Sequence, residues 1–306
     1  MAVNAELTPL LSTLRSCAAA RIGVWYARVL GLIGAVGLVL APSVQAYVLE
    51  GPHVLELMTR KKSPPQTLLV EQQVIIEDSA LSDQPITLEE TLRYSFPDTF
   101  RADTQHELTH RILVVARNQA LVVVDGQIVS NQQGRFDHYK DVLLYRSRQL
   151  LHQALIAQHV DVGQTSLGRW DDHIVVVIGA QYPDESASQL WVDKELFLPL
   201  RWIIVTADTS EEQEANRLEF IYRDWRKINK VWYPMQIETT LNQKRIRMVR
   251  VKTVKKDVVL DADLLNISNL MTLYEPAEPE EPQPQTETEL DEVERTIEDF
   301  RKKFEP

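Results

Sequence analysis

The chain has 306 residues, of which 44% are hydrophobic and 25% are charged, a balance that excludes a chain disordered throughout. Its formal net charge of −11 is concentrated at the carboxyl end, where residues 275–306 carry 12 acidic and 4 basic side chains. The rest of the chain is closer to neutral, which argues against nucleic acid as a partner, because binding to the phosphate backbone needs a concentrated basic surface.

Residues 1–46 have the pattern of a secretory signal peptide. Three arginines precede a 13-residue apolar stretch at 29–41, and small residues at 44–46 precede Tyr47. We predict cleavage before Tyr47 and release of the mature chain into the periplasm. The basic part is long, so an uncleaved inner-membrane anchor is the alternative. Because Cys17 is the only cysteine and lies before the apolar stretch, the mature chain has no disulfide and no cysteine-based metal site.

The mature chain opens with a short amphipathic pattern and continues as a series of strands. Val54, Leu55 and Met58 share one face of a helix that we expect over 52–61. From residue 68 onward the sequence consists of short runs rich in β-branched and aromatic residues, which are typical of strands. Strands are predicted at 68–77, 88–96, 108–117, 120–125, 173–179, 188–193, 199–207, 216–228, 231–241 and 245–256.

Two-residue connections indicate that these strands form hairpins. Asn118-Gln119, Asp125-Gly126 and Asn229-Lys230 each separate two apolar runs, and tight hairpin turns favour asparagine, aspartate and glycine. The sheet should therefore be antiparallel and largely a meander. Residues 136–159 lack glycine and proline and repeat apolar residues at helical spacing, which predicts a long helix between two groups of strands. The predicted fold class is α+β.

The composition changes after Tyr274, which we take as the end of a folded domain spanning 47–274. Residues 275–288 are acidic and rich in proline, a composition that predicts an extended linker without a core. An amphipathic helix is predicted at 289–304, where apolar residues recur every three or four positions and opposite charges pair at i and i+4. This helix is a possible docking element for an envelope protein.

His106-Glu107-Leu108-Thr109-His110 matches the H-E-x-x-H motif, in which two histidines one helical turn apart bind zinc and the glutamate acts as general base. Residues 111–117 that follow form a β-branched run, so we expect the motif to be a solvent-facing part of a strand. In a strand, residues four positions apart are separated by about 13 Å, too far to share one ion. A zinc hydrolase using His106, Glu107 and His110 is therefore only a third hypothesis, and we predict no catalytic residue, metal or cofactor.

Two segments of the second strand group resemble the outer-membrane lipoprotein-sorting proteins, the LolA-like group, whose lipid-binding fold RseB-like proteins share. Residues 189–201 contain Leu-Trp-Val-Asp followed by a Leu-Pro turn, and residues 222–235 contain a tyrosine-bearing strand, a tight turn and Trp-Tyr-Pro. Residues 51–58 look like the first helix of that group. The resemblance covers roughly residues 48–260.

This resemblance implies a curved antiparallel sheet that forms a half-open barrel, with the N-terminal helix and the long helical insertion covering an apolar cavity. If the sheet curls in this way, alternate residues of each strand face inward. The predicted lipid-cavity residues are Ile112, Val114, Val175, Val177, Trp202, Ile204, Tyr222, Met235 and Ile237.

The resulting hypothesis is a non-enzymatic periplasmic binding or carrier protein for the acyl chains of a lipid or lipoprotein. It would hold these chains non-covalently and act in outer-membrane lipoprotein sorting or envelope lipid handling. The alternative on the same fold is a sensor or adaptor with a filled barrel that binds a protein partner. The volume of the cavity distinguishes these two hypotheses.

Overall fold

The computed structural model describes residues 48–60, 65–77, 84–107, 109–206 and 216–277, so the predicted signal peptide and tail helix lie outside the described residues. In this part of the chain, 14 strands form a single sheet, accompanied by four α-helices and two 3-10 helices. The α-helices are α1 (Gly51–Thr59), α2 (Asp141–Leu144), α3 (Arg148–Ala157) and α4 (Ile267–Leu273), and the 3-10 helices span Arg135–Lys140 and Asp263–Leu265. The strands are β1 (Thr67–Ile76), β2 (Ile86–Ser95), β3 (Thr99–His106), β4 (Thr109–Ala116), β5 (Gln119–Val124), β6 (Gln127–Ser130), β7 (Thr165–Trp170), β8 (His173–Ile178), β9 (Gln189–Asp193), β10 (Pro199–Thr206), β11 (Asn216–Ile228), β12 (Val231–Leu241), β13 (Lys244–Lys256) and β14 (Glu275–Pro276).

The sheet consists of two meanders joined edge to edge. Strands β1 to β6 follow one another in chain order, as do β7 to β13, and β1 pairs with β13 to join the two groups. All pairs are antiparallel except that of β14 with β6. The outermost strands, β7 and β14, do not pair with each other, so the sheet is unclosed. The α+β class and the half-open antiparallel sheet predicted from the sequence are therefore confirmed.

The hairpin turns have the backbone conformation that tight connections require. Both central residues have positive φ at Asp125-Gly126 (50° and 86°) and at Asn229-Lys230 (48° and 72°), as in the turn type that matches the twist of paired strands. The turn predicted at Asn118-Gln119 lies one residue earlier, at Arg117-Asn118 (51° and 64°). Gln119 is already paired with Ala116 in the ladder between β4 and β5.

The sheet curves around one large apolar core. Leu113 of β4 and Val176 of β8 come from opposite halves of the sheet, yet both belong to the same cluster of buried side chains. Leu55 of α1 and Leu151 of α3 complete this cluster from the open side. Strands so far apart in the sheet share neighbours only because the sheet bends, and the helices fill its concave side. None of the helices in the described ranges is long and apolar enough to cross a membrane.

The helix predicted over 136–159 is divided into three short pieces. The 3-10 helix runs directly into α2, which ends at Leu144, and α3 begins after Ser147. The break lies where the chain contacts the turn between β2 and β3, because the amide of Arg146 donates to the carbonyl oxygen of Pro97 and its guanidinium lies 5.1 Å from the centre of the Phe96 ring. This tertiary contact overrides the local helical preference.

Four strands were not predicted: β3, β6, β7 and β14. Charged residues interrupt β3, whose sequence reads Thr-Phe-Arg-Ala-Asp-Thr-Gln-His, and Gly168 interrupts β7. The first residues of the predicted linker form β14, and the amide of Ala277 donates to the carbonyl oxygen of Ile128. Pairing across the sheet, rather than local propensity, determines these four strands.

The H-E-x-x-H motif spans a hairpin turn, so its predicted position on a single strand is wrong. His106 ends β3, Glu107 has a φ of 44°, and His110 belongs to β4, where it pairs with Gln105. The imidazole Nε2 of His110 lies 3.5 Å from Asp103 Oδ1. Within the described ranges, no group of three or more histidine, cysteine, aspartate or glutamate side chains is arranged to hold a metal ion.

We expect the substitution Gly51→Ala to destabilise the domain by about 2 kcal/mol through overpacking. Gly51 is the buried first residue of α1, and a Cβ at this position would overlap the backbone carbonyl oxygen of Val162. The matched control is Gly163→Ala, since a Cβ there would lie 3.2 Å from the side chain of Asp161, which has room to move. Urea denaturation of both variants checks this, and equal stability of the two would contradict the packing of α1 described above.

Candidate functional site

The concave side of the sheet is the candidate site, and its floor is apolar. Trp202 and Ile204 of β10, Tyr222 of β11 and Ile237 of β12 belong to the main core cluster and are at most 5% exposed. The rings of Trp202 and Phe220 lie 6.0 Å apart. The structure thus brings together four of the nine residues predicted to line a lipid cavity.

The other five predicted cavity residues lie elsewhere. Ile112 and Val114 pack under α4 on the opposite face of the sheet, and Val175 and Val177 pack with Trp191 and Leu200 on that same face. Met235 is half-buried and belongs to none of the three apolar clusters formed by the described residues. The concave positions of β4 and β8 are those of the other phase: Leu113, Val115, Val176 and Ile178.

A row of polar side chains crosses the concave face beside this apolar floor. We call it the polar row; it consists of Gln72, Glu90, Thr104 and Arg111, which are cross-strand neighbours on β1 to β4. Gln72 Nε2 and Thr104 Oγ1 both donate to the Glu90 carboxylate, the latter over 2.8 Å. These residues were not predicted from the sequence, although Glu90 and Gln72 stand in phase with buried apolar neighbours of their own strands. That pattern indicates a buried polar side chain whose hydrogen bonds are satisfied.

The polar row holds the covering helices in position. Arg111 Nη2 lies 2.7 Å from Asp137 Oδ2 in the 3-10 helix, and the hydroxyl of Tyr139 lies within hydrogen-bonding distance of Gln72 and Glu90. From the other side of the interior, Tyr222 donates its hydroxyl to the carbonyl oxygen of Tyr139 over 2.7 Å. Polar contacts therefore fix the segment 135–144 over an otherwise apolar floor.

The charged groups at this contact are buried and mutually neutralised. Burial alone would raise the pKa of Asp137, but the attraction of Arg111 and its hydrogen bonds outweigh this and hold the pKa below its ordinary value. Burial likewise opposes ionisation of Asp141, yet Lys140, whose Nζ lies 2.7 Å from Asp141 Oδ1, lowers the pKa of that carboxyl. Burial, with Glu90 nearby, raises the pKa of Tyr139 well above its ordinary value, so its hydroxyl stays protonated.

Side chains of the sheet and of the helices pack closely on the concave side. A narrow cleft of about 10 Å³ lies among the covering elements and has room for about one water molecule. We call it the helix cleft; among the residues that line it are Met58, Leu143, Leu151, Phe197, Trp225 and Trp232. One polar atom of the floor makes no hydrogen bond: Trp202 Nε1 is buried without a partner in the described structure.

No family model and no curated protein matches this sequence. Among solved structures, an outer membrane lipoprotein-sorting protein domain from Vibrio parahaemolyticus is similar at 11% identity, with a TM-score of 0.48 over 72% of this chain and 97% of that one. A DUF1329 family protein from Desulfovibrio piger is 14% identical, with a TM-score of 0.48 over 72% and 98%. A LolA superfamily protein from Nitrosomonas europaea is 12% identical, with a TM-score of 0.45 over 71% and 98%. Two of these three descriptions name the group that the sequence resembles.

The ion pair of Arg111 and Asp137 predicts a specific loss of stability in acid. Because the pKa of Asp137 is lower in the folded state, its contribution is complete above the unfolded pKa of about 3.9 and is lost as the pH falls through the folded value. Asp137→Asn should cost about 3 kcal/mol at pH 7, since Arg111 is left without its partner, and should flatten the decline of stability below about pH 4.

Urea denaturation between pH 7 and pH 3 measures both effects. Asp224→Asn is the matched control, because the Asp224 pair with Arg226 is exposed and should contribute little to stability. Parallel pH profiles for the unmodified protein and Asp137→Asn would show that the buried pair does not stabilise the fold.

Proposed function

We propose that this protein is a non-enzymatic periplasmic binding protein that takes up the acyl chains of a lipid or lipoprotein on the concave face of its sheet. The observation that carries this proposal is an apolar concave floor covered by short, separate helices rather than by a second sheet or a long helix. The chains would occupy the space that side chains of α1 and α3 fill in the closed conformation.

The cover is built from pieces that have little stability of their own. The helices α1 and α3 have 9 and 10 residues, and isolated helices shorter than about 12 to 15 residues are marginal in water. Their packing against the floor keeps them folded, so an apolar ligand that replaces this packing competes with them directly. Each buried methylene contributes about 0.8 kcal/mol, which allows an acyl chain to offset the displaced contacts of Leu55, Met58 and Leu151.

The indole of Trp202 adds a hydrogen-bond donor without a partner to the same apolar floor. Its Nε1 donates to no group in the described structure, and burying such a donor is unfavourable unless a partner is supplied. The carbonyl oxygen of an acyl ester or amide is an acceptor of the right chemistry. Export of the chain, expected from residues 1–46, would bring this surface into contact with envelope lipids.

The filled interior favours a second candidate, an adaptor that binds a protein partner on the same fold. The helix cleft of about 10 Å³ is far smaller than the pockets of several hundred Å³ that hold small ligands. In this alternative the helices stay packed on the concave face, and the apolar core stabilises the fold without binding a ligand.

Uptake of a fluorescent fatty acid by the exported protein tests the proposal. We expect saturable uptake, an affinity at least tenfold lower for Ile204→Asn, and faster uptake by Asp137→Asn because the segment 135–144 is held less firmly. Val177→Asn is the matched control, since Val177 is equally buried but lies on the opposite face. Both asparagine substitutions should lower stability by about 2 to 4 kcal/mol, so uptake is measured at a temperature at which circular dichroism shows both proteins folded.

Mass spectrometry of lipids that co-purify with the protein provides an independent measurement. Protein that is free of lipid and shows no uptake would refute the acyl-binding proposal and support the adaptor. Equal loss of affinity in Ile204→Asn and Val177→Asn would place the ligand away from the concave floor.

A further inference from the structure

We infer that the outer rim of the helix cleft is a docking surface for an anionic lipid membrane. This rim, which we call the cleft rim, consists of the turn between β9 and β10 (194–197), the end of the hairpin of β11 and β12 (224–232), and Ile174 at the start of β8. The inference rests on the proposed function, because it concerns the surface through which an acyl chain would reach the cleft.

The cleft rim exposes apolar side chains at turn tips, where soluble proteins favour polar residues. Leu196 is 48% exposed and Ile174 is 50% exposed. The amide of Lys194 donates to the carbonyl oxygen of Ile174 over 3.0 Å, which places the two apolar positions on adjoining strands. Trp232 is only partly buried at the tip of the other hairpin.

The two turns form one continuous surface. Trp225 Nε1 donates to the carbonyl oxygen of Pro199 over 3.2 Å, which joins the end of β11 to the start of β10. Phe197 and Trp232, one from each turn, line the same cleft together with Met58 of α1. The apolar side chains of the rim therefore surround the place where the covering helices meet the sheet.

The charge of the cleft rim is opposite to that of the whole chain. Segments 194–197 and 224–232 carry four cationic and two acidic side chains, whereas the chain as a whole has a net charge of −11. One of the two acids, Asp224, pairs with Arg226 over 2.7 Å. The exposed amines of Lys227 and Lys230 have no ion-pair partner among the described residues.

This combination of residues fits the interface of a bilayer. Lys227 lies opposite Trp232 in the ladder between β11 and β12, so an amine and an indole project side by side. Indole rings prefer the headgroup region, and long basic side chains extend from an apolar surface toward phosphates. A basic residue near an anionic leaflet contributes about 1 kcal/mol, so the unpaired amines of Lys227 and Lys230 would add to the apolar contacts of the rim.

Co-sedimentation of the exported protein with lipid vesicles tests this inference. We expect binding to vesicles of phosphatidylglycerol and phosphatidylethanolamine at 50 mM salt, and little binding to phosphatidylcholine alone. The double variant Lys227→Glu/Lys230→Glu should bind at least tenfold more weakly, and Leu196→Asp at least threefold more weakly.

Matched controls separate this surface from general charge and general hydrophobicity. Lys244→Glu/Arg250→Glu makes the same change of charge outside the rim, and Met271→Asp replaces a side chain that is 51% exposed on α4. Both controls should change vesicle binding less than twofold. Equal losses in the rim variants and their controls, or no binding to anionic vesicles by the unmodified protein, would overturn the inference.

Fatty-acid uptake in buffer without vesicles distinguishes this inference from the proposed function. Lys227→Glu/Lys230→Glu should take up fatty acid normally, because neither side chain lines the helix cleft. If the protein binds vesicles but takes up no fatty acid, the docking surface is supported and only the acyl-binding proposal is refuted.

Discussion

The apolar concave face of the curved sheet is the constraint on which the rest of the structure depends. A sheet of 14 strands that bends this far presents more apolar surface on one side than its own strands can cover. Full burial of a large apolar side chain contributes about 1.5 to 3 kcal/mol, so this face must be covered by something. The short helices cover this face and are stabilised by packing against it. The helices therefore stay folded only while their side chains occupy the concave side.

The sequence predicted the sheet better than it predicted which face of each strand is inside. In β10, Arg201 marks the phase opposite to Trp202 and Ile204, and the structure places the latter two on the concave side. In β4 and β8 apolar residues occupy both phases, because α4 and the cluster around Trp191 cover the outer face as well. The arginine of β4, Arg111, even lies on the concave side, where it pairs with Asp137. Alternation identifies the inner face of a strand only when the outer face meets water.

The polar row is a second feature that the sequence pattern predicts only in part. The sequence shows that Glu90 is in phase with Leu88 and Leu92, but its partners come from β1, β3, β13 and the 3-10 helix. The local sequence pattern therefore indicates that a polar side chain is buried, whereas only the tertiary structure identifies its hydrogen-bond partners. Such a group favours one placement of the covering segment over others, since a shift would separate Arg111 from Asp137 in the interior.

The pairing of β14 with β6 has a consequence for how the domain avoids self-association. An open sheet has two free edges, and an uncovered edge strand is a template for pairing with another chain. Glu275 and Pro276 occupy the edge at β6, where Val129 is half exposed, and proline offers no amide to a further strand. Glu275 and Pro276 therefore protect this edge, because they combine a negative charge with a missing amide donor at the position where a further strand would pair.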